Sequence, residues 1–343
     1  MDSSLFQDVL TICANHRELS ILDMFDADSV ANDIALCKIR SRNYRVNIDG
    51  KDPQGVTRVN DVVTRLLKTR YKPLTNETIR EAVTLYLKDY QDPILLKKYG
   101  PIEVWDTSSV TDMSKMFSGS RKFNGQLSSW DTSSVTDMSY MFCHADAFNG
   151  QLSSWDTSSV TDMSGMFYEA RVFNGDLSSW DTSSVTIMSY MFCGAYEFNG
   201  QQQLSSWDTS SVTDMHSMFN SALVFNGDLS SWDTSSVTDM SCMFSGAYGF
   251  NGQFNGQFNE QQISSWDTSS VTTMSGMFSG ASKFNGNISS WDTSSVTDMS
   301  YMFFQAHAFT GPLPSWDTSS VTDMSHMFLG ALRIVGIVGC AAG

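Results

Sequence analysis

Histidine, cysteine and serine are the side chains that could carry out covalent chemistry, and their spacing matches no common catalytic arrangement. The five histidines share no position in the repeat described below and are His16, His144, His216, His307 and His326. No histidine or cysteine spacing is typical of a zinc site. The sequence contains no Gly-rich phosphate loop and no nucleophile elbow, and no histidine is predicted to lie where it could activate a serine. These observations predict a protein that is not an enzyme and uses no cofactor.

Six cysteines could form disulfides, but their positions favour free thiols. Cys143 and Cys193 occupy the same position two repeats apart, which corresponds to ~9 to 10 Å if neighbouring strands stack about 4.7 Å apart. A disulfide needs Cα atoms within about 7 Å of each other. The remaining cysteines share no position with this pair and are Cys13, Cys37, Cys242 and Cys340. We therefore predict free thiols.

Aspartate forms two rows when the repeats are aligned. The first row is unbroken and comprises Asp106, Asp131, Asp156, Asp181, Asp208, Asp233, Asp267, Asp292 and Asp317. The second is interrupted by Ile187 and Thr273 and comprises Asp112, Asp137, Asp162, Asp214, Asp239, Asp298 and Asp323. Carboxylates ~5 Å apart repel by roughly 1 kcal/mol in water, so a row needs backbone N–H groups of an Asx-turn, or calcium, as compensation. Because every copy needs its own turn, the unbroken row favours turn capping. Weak calcium binding is the alternative, and no metal ligand is assigned.

A tandem repeat of nine copies positions these residues. Each copy contains Trp-Asp-Thr-Ser-Ser-Val-Thr, and the tryptophans lie 25 residues apart except for spacings of 27 and 34. Both longer spacings come from insertions at one position, within 201–203 and 253–262, as expected for a loop on one side of a stack. A period in the twenties with fixed apolar positions is typical of a solenoid. We expect the tryptophans to form a buried structural ladder of Trp105, Trp130, Trp155, Trp180, Trp207, Trp232, Trp266, Trp291 and Trp316.

Within one copy, the pattern predicts a short helix and a short strand. Val135, Met138, Met141 and Ala145 have the spacing of one helix face. Residues 127–132, rich in Ser and Thr around Trp130, suit a short strand. The predicted fold class is therefore an α/β repeat solenoid, a stack of about nine 25-residue rungs with an N-terminal helical region.

The unit Trp-Asp-Thr-Ser-x-Val-Thr-x-Met-Ser-x-Met-Phe resembles the 25-residue repeat of the BspA-like leucine-rich-repeat surface proteins. More narrowly, it resembles a repeat of unknown function first grouped from mycoplasma lipoproteins. Residues 73–102 resemble the helical lead-in of these proteins, so that the resemblance covers about 73–331. It implies a leucine-rich-repeat-like solenoid and, for some members, adhesion to host or matrix proteins. It implies no catalytic residues.

Three further segments flank the repeats of 105–331. Residues 1–72 are expected to be mostly helical, with unassigned function. Residues 73–104 are interpreted as a helical lead-in that caps the first repeat, with a helix over 75–90 and a capping box at Thr78 and Glu81. The apolar tail, residues 332–343, is a last rung, a dimer contact or a membrane anchor.

Charge is unevenly distributed and restricts the partners. Residues 1–104 carry 15 basic and 15 acidic side chains, whereas residues 105–343 carry 6 and 22. An acidic solenoid is a poor partner for nucleic acid, since that binding depends on clustered cations. No apolar stretch reaches the ~20 residues of a transmembrane span. The N-terminus shows no secretory signal, which favours an intracellular location, whereas the family resemblance suggests the cell surface.

The sequence therefore predicts a non-catalytic protein-interaction scaffold, or an adhesin-like protein, that binds an unidentified protein partner through an acidic Ser/Thr/Asp-rich surface. The alternative is a ladder-type ligand binder, with calcium on the Asp rows or ice on the rows of Thr132, Thr136 and their equivalents. Flat, exposed rows of these side chains would support the alternative.

Overall fold

The computed structural model describes residues 45–47, 56–58, 71–200, 204–251, 263–311 and 316–331. The chain divides into two compact units. The first consists of Met1–Val110 with Gln126–Thr132, and the second consists of Thr111–Gly125 with Ser133–Gly343. Positions in a copy are counted below from its tryptophan, so that Tyr140 is at position +10 of the copy that begins at Trp130.

In the first unit, two short strands precede the helices. Strand β1 (Arg45–Asn47) pairs antiparallel with β2 (Val56–Arg58), with Val46 opposite Thr57. The sequence predicts a mostly helical segment over residues 1–72. Within it, the structure describes these two strands and the irregular residues 71–72. The rest of that predicted helical region lies outside the described residues.

Helix α1 (Asn76–Lys88) begins one turn earlier than its predicted capping box implies. Its N-cap is Thr75, whose side chain accepts from the Thr78 backbone N–H, while the Thr78 side chain accepts from the Thr75 N–H. The predicted pair of Thr78 with Glu81 is wrong. The Glu81 carboxylate instead accepts hydrogen bonds from the Lys98 ammonium at 2.8 Å and the Tyr99 hydroxyl at 2.9 Å, which ties α1 to helix α2 (Pro93–Tyr99).

The first tryptophan is covered by these helices within the same unit. A 3₁₀ turn, η1 (Ile102–Val104), leads from α2 to Trp105. The Trp105 ring contacts Tyr86 and Tyr99 edge-on, with centroid distances of 6.2 and 6.4 Å, and its indole N–H donates to the Gly100 carbonyl at 3.1 Å. The lead-in therefore shields an apolar side chain that water would otherwise reach.

In the second unit, successive copies lie side by side and in register. Single parallel β-bridges at position +7 join each copy to the next, from Asp112 to Asp323. In the segment that carries the bridge, the Thr161 N–H donates to the Thr136 carbonyl at 2.9 Å and the Met163 N–H donates to the Ile187 carbonyl at 3.1 Å. One copy is thereby hydrogen-bonded to both of its neighbours.

Tight turns occupy the segment where the sequence predicts helical turns. The Met141 N–H donates to the Met138 carbonyl and the Ala145 N–H to the Phe142 carbonyl, each three residues back. The Phe142 N–H donates instead to Met166 of the next copy, at 2.9 Å. Because alternate N–H groups bond to the neighbouring copy, they are not available for the continuous bonds of an α-helix. The apolar spacing of three to four residues comes from consecutive turns.

The short strand predicted for residues 127–132 is also wrong. The Trp130 N–H donates to the Leu127 carbonyl at 3.0 Å, which closes a turn. Pairing between copies lies instead around position +7, after the tryptophan. The serine and threonine side chains of this segment make hydrogen bonds instead, as the Ser129 hydroxyl does to the Glu103 carbonyl at 2.6 Å.

Phenylalanine and methionine fill the interior of the second unit. The Phe142 ring stacks on Phe148 of its own copy at 3.9 Å between centroids and on Phe167 of the next copy at 5.7 Å. Met138 and Met141 are completely buried beside them. Since a single copy cannot enclose these rings, burial of the core depends on neighbouring copies.

Candidate functional site

The tryptophan row is part of the core rather than of a binding surface. From Trp105 to Trp291 the eight rings are only 1–4% exposed, while Trp316 is half-buried. The Trp180 ring stacks on Trp207 at 6.4 Å. Its indole N–H donates to the Leu152 carbonyl at 3.1 Å, and the same bond recurs in other copies. The ladder therefore orients and joins the copies.

The first aspartate row caps its own turns. Asp181 accepts from the backbone N–H of Ser183 at 3.0 Å and from its hydroxyl at 2.7 Å. Equivalent Ser side-chain and backbone bonds lower the pKa of Asp208, Asp267 and Asp292. At Asp292 the neighbouring carboxylates raise the pKa, but they rank below both hydrogen bonds. The turn thus compensates the repulsion that stacking creates.

The second aspartate row makes the same kind of bond. Asp162 accepts from the Ser164 backbone N–H, and Asp214 accepts from the His216 backbone N–H, both at 2.8 Å. Within the described residues, no group of three or more His, Cys, Asp or Glu side chains is placed to hold a metal ion. Both rows therefore have a structural use that needs no cation.

The two threonine rows differ, and one of them cannot meet a ligand. Threonines equivalent to Thr132 are 0–1% exposed wherever the stack covers them, and the Thr182 hydroxyl donates to the Asp208 carbonyl at 2.8 Å. An ice-binding role for this row is therefore wrong. Threonines equivalent to Thr136 are exposed, with hydroxyls such as that of Thr186 donating to a threonine carbonyl of the preceding copy.

Two positions in each copy adopt a left-handed backbone. At positions +10 and +14 the φ angle lies between 53° and 82° in all described copies. This conformation costs roughly 1–2 kcal/mol for a residue with a Cβ atom and is normally left to glycine. Glycine nevertheless occupies only some of these positions. The others hold Lys115, Tyr140, His144, Glu169, Tyr190, Ser217, Ser221, Cys242, Tyr301, Gln305 and His326.

Three of these residues, Tyr140, His144 and Tyr190, belong to an aromatic surface over four consecutive copies, which we call the tyrosine–histidine strip. It comprises Tyr140, His144, Tyr168, Tyr190 and His216, all half-buried. Edge-to-face contacts link His144 to Tyr168 at 5.4 Å, Tyr168 to Tyr190 at 6.1 Å and Tyr190 to His216 at 4.7 Å. Rings at such distances support each other. The strip is therefore an ordered surface.

Small residues make room for the rings of the strip. A Cβ atom at Gly165 would lie 2.3 Å from the Tyr140 ring, so only glycine permits this position of the ring. In the copies that carry the strip, Tyr140 and Tyr190 at position +10 are accompanied by Cys143 and Cys193 at position +13, whereas Gly165 at position +10 is accompanied by Tyr168. Large and small side chains thus alternate between these two columns in the three copies.

His216 extends the strip into a hydrogen-bonded chain. Its Nε2 lies 2.7 Å from the Tyr190 hydroxyl and its Nδ1 lies 2.6 Å from the Ser241 hydroxyl. The Ser241 hydroxyl donates to the Asp239 carboxylate at 2.5 Å. Since a hydroxyl has one proton, Nδ1–H then donates to Ser241, and in the neutral imidazole the Tyr190 hydroxyl donates to Nε2. His216 thus lies beside Ser241, but the serine proton is directed to the Asp239 carboxylate and not to the imidazole.

The described cysteines are free thiols and lie beside this strip. They are Cys143, Cys193 and Cys242. Burial raises the pKa of all three, and together with the charges of Glu169 and Cys242 it raises the pKa of Cys193 to about 12. A thiol with a raised pKa is protonated at neutral pH and is a poor nucleophile. Cys13, Cys37 and Cys340 lie outside the described residues.

The strip does not coincide with the residues that the repeat pattern indicates most strongly. The tryptophan and aspartate ladders stand out because they are invariant, and in the structure they serve packing and turn capping. The strip consists of positions that vary between copies while the surrounding positions do not. A column-by-column comparison of the nine copies carries this information, since it shows Ile187 and His216 as departures from Asp and Ser.

Comparison with known proteins identifies the family. The family described as Mycoplasma protein of unknown function, DUF285, matches residues 94–202, 175–259 and 253–336. These matches span most of the chain and all of the region with bridged copies, and the chain belongs to this repeat family. No curated protein and no solved structure matches it. Among the described residues, no helix is long and apolar enough to span a membrane.

Proposed function

We propose that this repeat protein is a non-catalytic binding scaffold and that the tyrosine–histidine strip is its contact surface for a protein partner. The observation that carries the proposal is the presence of Tyr140, His144 and Tyr190 at left-handed positions. Glycine at these positions would avoid a backbone cost of roughly 1–2 kcal/mol. Side chains kept at such a cost are candidates for function.

The chemistry of the strip supports contact with a protein. Tyrosine is enriched at the centres of interfaces because it provides a large, rigid contact area with a polar tip. The three strip tyrosines, Tyr140, Tyr168 and Tyr190, already hold their rings against neighbours, so that little rotamer entropy is lost on binding. In this proposal the invariant positions of each copy hold the copies together, and the side chains at the variable positions contact the partner.

We also propose that the stacked copies form a solenoid of the leucine-rich-repeat type, as in the BspA-like surface proteins, although with turns in place of helices. The parallel bridges between successive copies support this classification. An adhesin-like role at a cell surface follows from the same proposal. Repeat stacks of this kind present extended surfaces in which each copy contributes a few side chains.

A non-catalytic role is consistent with the side chains around the strip. A nucleophilic serine must give its proton to a base, but the Ser241 hydroxyl donates to Asp239. The thiols are protonated, because burial raises their pKa. These features favour binding over group transfer.

Proximity labelling with the tagged full-length chain tests the proposal. The test variant carries Tyr140→Ser, Tyr168→Ser and Tyr190→Ser together. A matched control carries Tyr248→Ser and Tyr301→Ser, which remove exposed tyrosines outside the strip, with exposed fractions of 53% and 42%. We expect a set of labelled proteins that is lost with the strip variant and retained with the control. Equal labelling by all three chains, at equal thermal stability, would contradict the proposal.

A further inference from the structure

We infer that the partner presents a cationic, extended polypeptide segment to the tyrosine–histidine strip, with arginine side chains lying over the tyrosine rings and pairing with the flanking carboxylates. This inference rests on the proposed function and names the chemistry of the partner. It depends on three observations, which are the local charge, the position of the carboxylates beside the rings, and their spacing.

The copies that carry the strip have a large excess of negative charge. From Trp130 to Ser231 the chain has 12 Asp or Glu side chains and a single Lys or Arg, which is Arg171. Arg171 already lies 3.4 Å from the Glu169 carboxylate and over the Tyr196 ring. The copies that carry the strip therefore have 11 more anionic than cationic side chains, the difference between 12 and 1. A cationic segment would neutralise part of this excess, whereas nucleic acid or an acidic peptide would be repelled.

Hydrogen bonds place two carboxylates next to strip residues. Asp214 accepts from the His216 backbone N–H at 2.8 Å, and His216 Nε2 lies 2.7 Å from the Tyr190 hydroxyl. Asp162 accepts from the Ser164 N–H, and the Ser164 carbonyl accepts from the Tyr140 N–H at 2.7 Å. Burial raises the pKa of Tyr140, and the charges of Asp162 and Asp214 add to this effect. Burial likewise raises the pKa of Tyr190, and Asp214 contributes there too. A guanidinium group placed over either ring could contact the aromatic face and a carboxylate at the same time. This combination favours arginine over lysine, because the guanidinium is planar and presents several donors.

The spacing of these carboxylates suits an extended ligand. Asp162 and Asp214 occupy position +7 of copies that are two apart, and Ile187 holds the same position in the copy between them. Copies joined by β-bridges are about 4.8 Å apart, which places the two positions ~10 Å apart. Residues i and i+3 of a polyproline II segment lie on one face and are ~9.3 Å apart. Two arginines separated by two residues could therefore reach both carboxylates, with an apolar contact at Ile187.

Peptide binding to the full chain tests the inference. The probe is a fluorescein-labelled peptide with three Arg-Pro-Pro units, and the control peptide has three Glu-Pro-Pro units. Binding is measured by fluorescence anisotropy at about 0.15 M salt. We expect saturable binding of the arginine peptide and none of the glutamate peptide. The strip variant Tyr140→Ser, Tyr168→Ser and Tyr190→Ser should weaken binding at least tenfold, while Tyr248→Ser with Tyr301→Ser should change it less than twofold.

Removal of charge provides a second variant that keeps the fold. Asp162→Asn with Asp214→Asn removes two charges, while an asparagine side-chain oxygen can still accept the turn-capping hydrogen bond. We expect at least fivefold weaker peptide binding with an unchanged melting temperature. The matched control is Asp298→Asn with Asp323→Asn, in copies beyond the strip, and it should retain binding.

Three outcomes would overturn the inference: no binding of the arginine peptide, binding that the strip variant leaves unchanged, or equal weakening by both asparagine pairs. The last result would indicate diffuse attraction to an acidic protein. If the arginine peptide fails while proximity labelling still depends on the strip tyrosines, the partner chemistry is wrong and the binding scaffold stands. If neither measurement depends on these tyrosines, both proposals fail.

Discussion

At the scale of single residues, the left-handed backbone at positions +10 and +14 is the conformational feature shared by all described copies. The sequence shows glycine at some +10 and +14 positions, but the mixture of Gly, Tyr, His, Lys and Cys at +10 and +14 conceals a shared conformation. Helical spacing of the methionines therefore predicted helical turns, because apolar periodicity does not report the sign of φ. The strip was missed for the same reason, since its residues look like arbitrary substitutions at exposed positions.

The cost of the left-handed conformation can be measured within one copy. Lys115 has a φ angle of 56°, and a Cβ atom added at Gly119, with φ of 74°, would meet nothing within 4 Å. Lys115→Gly should therefore raise the free energy of unfolding by up to about 1 kcal/mol, and Gly119→Ala should lower it by about 1 kcal/mol. Urea denaturation measures both changes. Destabilisation by Lys115→Gly would show that the lysine side chain makes contacts that outweigh the strain.

At the scale of the element, the aspartate-capped turn was predicted more accurately than the helix or the strand. An unbroken Asp row followed by Thr-Ser-Ser implied a local cap, and Asp181 and its equivalents accept from the serine two residues later. The bridge around position +7 could not be predicted in this way. It depends on hydrogen bonds between residues 25 apart, and the propensities of Val135-Thr136-Asp137 do not indicate them. The same limit applies to the N-cap of α1, where Thr75 and Thr78 form the capping box and Glu81 accepts from Lys98 and Tyr99 of α2 instead.

Turn capping makes stability depend on acidic pH. Hydrogen bonds from serine lower the pKa of Asp208, Asp267 and other first-row carboxylates below their ordinary value of 3.8. A lowered folded-state pKa contributes stability that is present above the unfolded pKa and is lost as the pH falls through the folded pKa. The free energy of unfolding should therefore decrease as the pH is lowered from about 5 to below 3.8. Urea denaturation across this range measures the decrease.

An asparagine variant isolates this contribution. Asp208→Asn with Asp267→Asn can retain the capping acceptor but cannot be protonated in this range. The decrease in stability on acidification should therefore be smaller than in the unmodified chain. An identical pH dependence in the two proteins would mean that other carboxylates cause the acid sensitivity.

Calcium distinguishes capping from a shared cation row. If serine donors already compensate each carboxylate, the melting temperature should differ by less than about 5 °C between excess calcium and a chelator, since only a ligand that binds the folded state tightly raises it further. Differential scanning calorimetry of the full chain measures this difference. A larger rise, with saturable binding at several sites, would restore calcium as a ligand of Asp131 and its equivalents.

At the scale of the whole molecule, the sequence predicts that the copies are equivalent as structural units, whereas the binding role that we propose for the strip requires them to differ in function. A stack in which each copy contacts only its neighbours has a stability that is nearly a sum over copies and their interfaces. Removing one copy should then shorten the stack without unfolding it, provided that exactly one period is deleted. The nine-copy array offers two such deletions, one within the strip and one outside it.

Deletion of residues 155–179 removes Tyr168 and separates the strip, whereas deletion of residues 266–290 removes 25 residues beyond it. Both deletions leave each remaining tryptophan in phase, so that both proteins should unfold cooperatively with similar, slightly lower melting temperatures. Partner labelling should be lost only with the first deletion, because the second leaves the contacts among Tyr168, Tyr190 and His216 intact. If both deletions reduce labelling equally, the partner contacts the array along its length and the strip is not a discrete site. Thermal melts of the two proteins, run beside the labelling, separate that result from loss of folding.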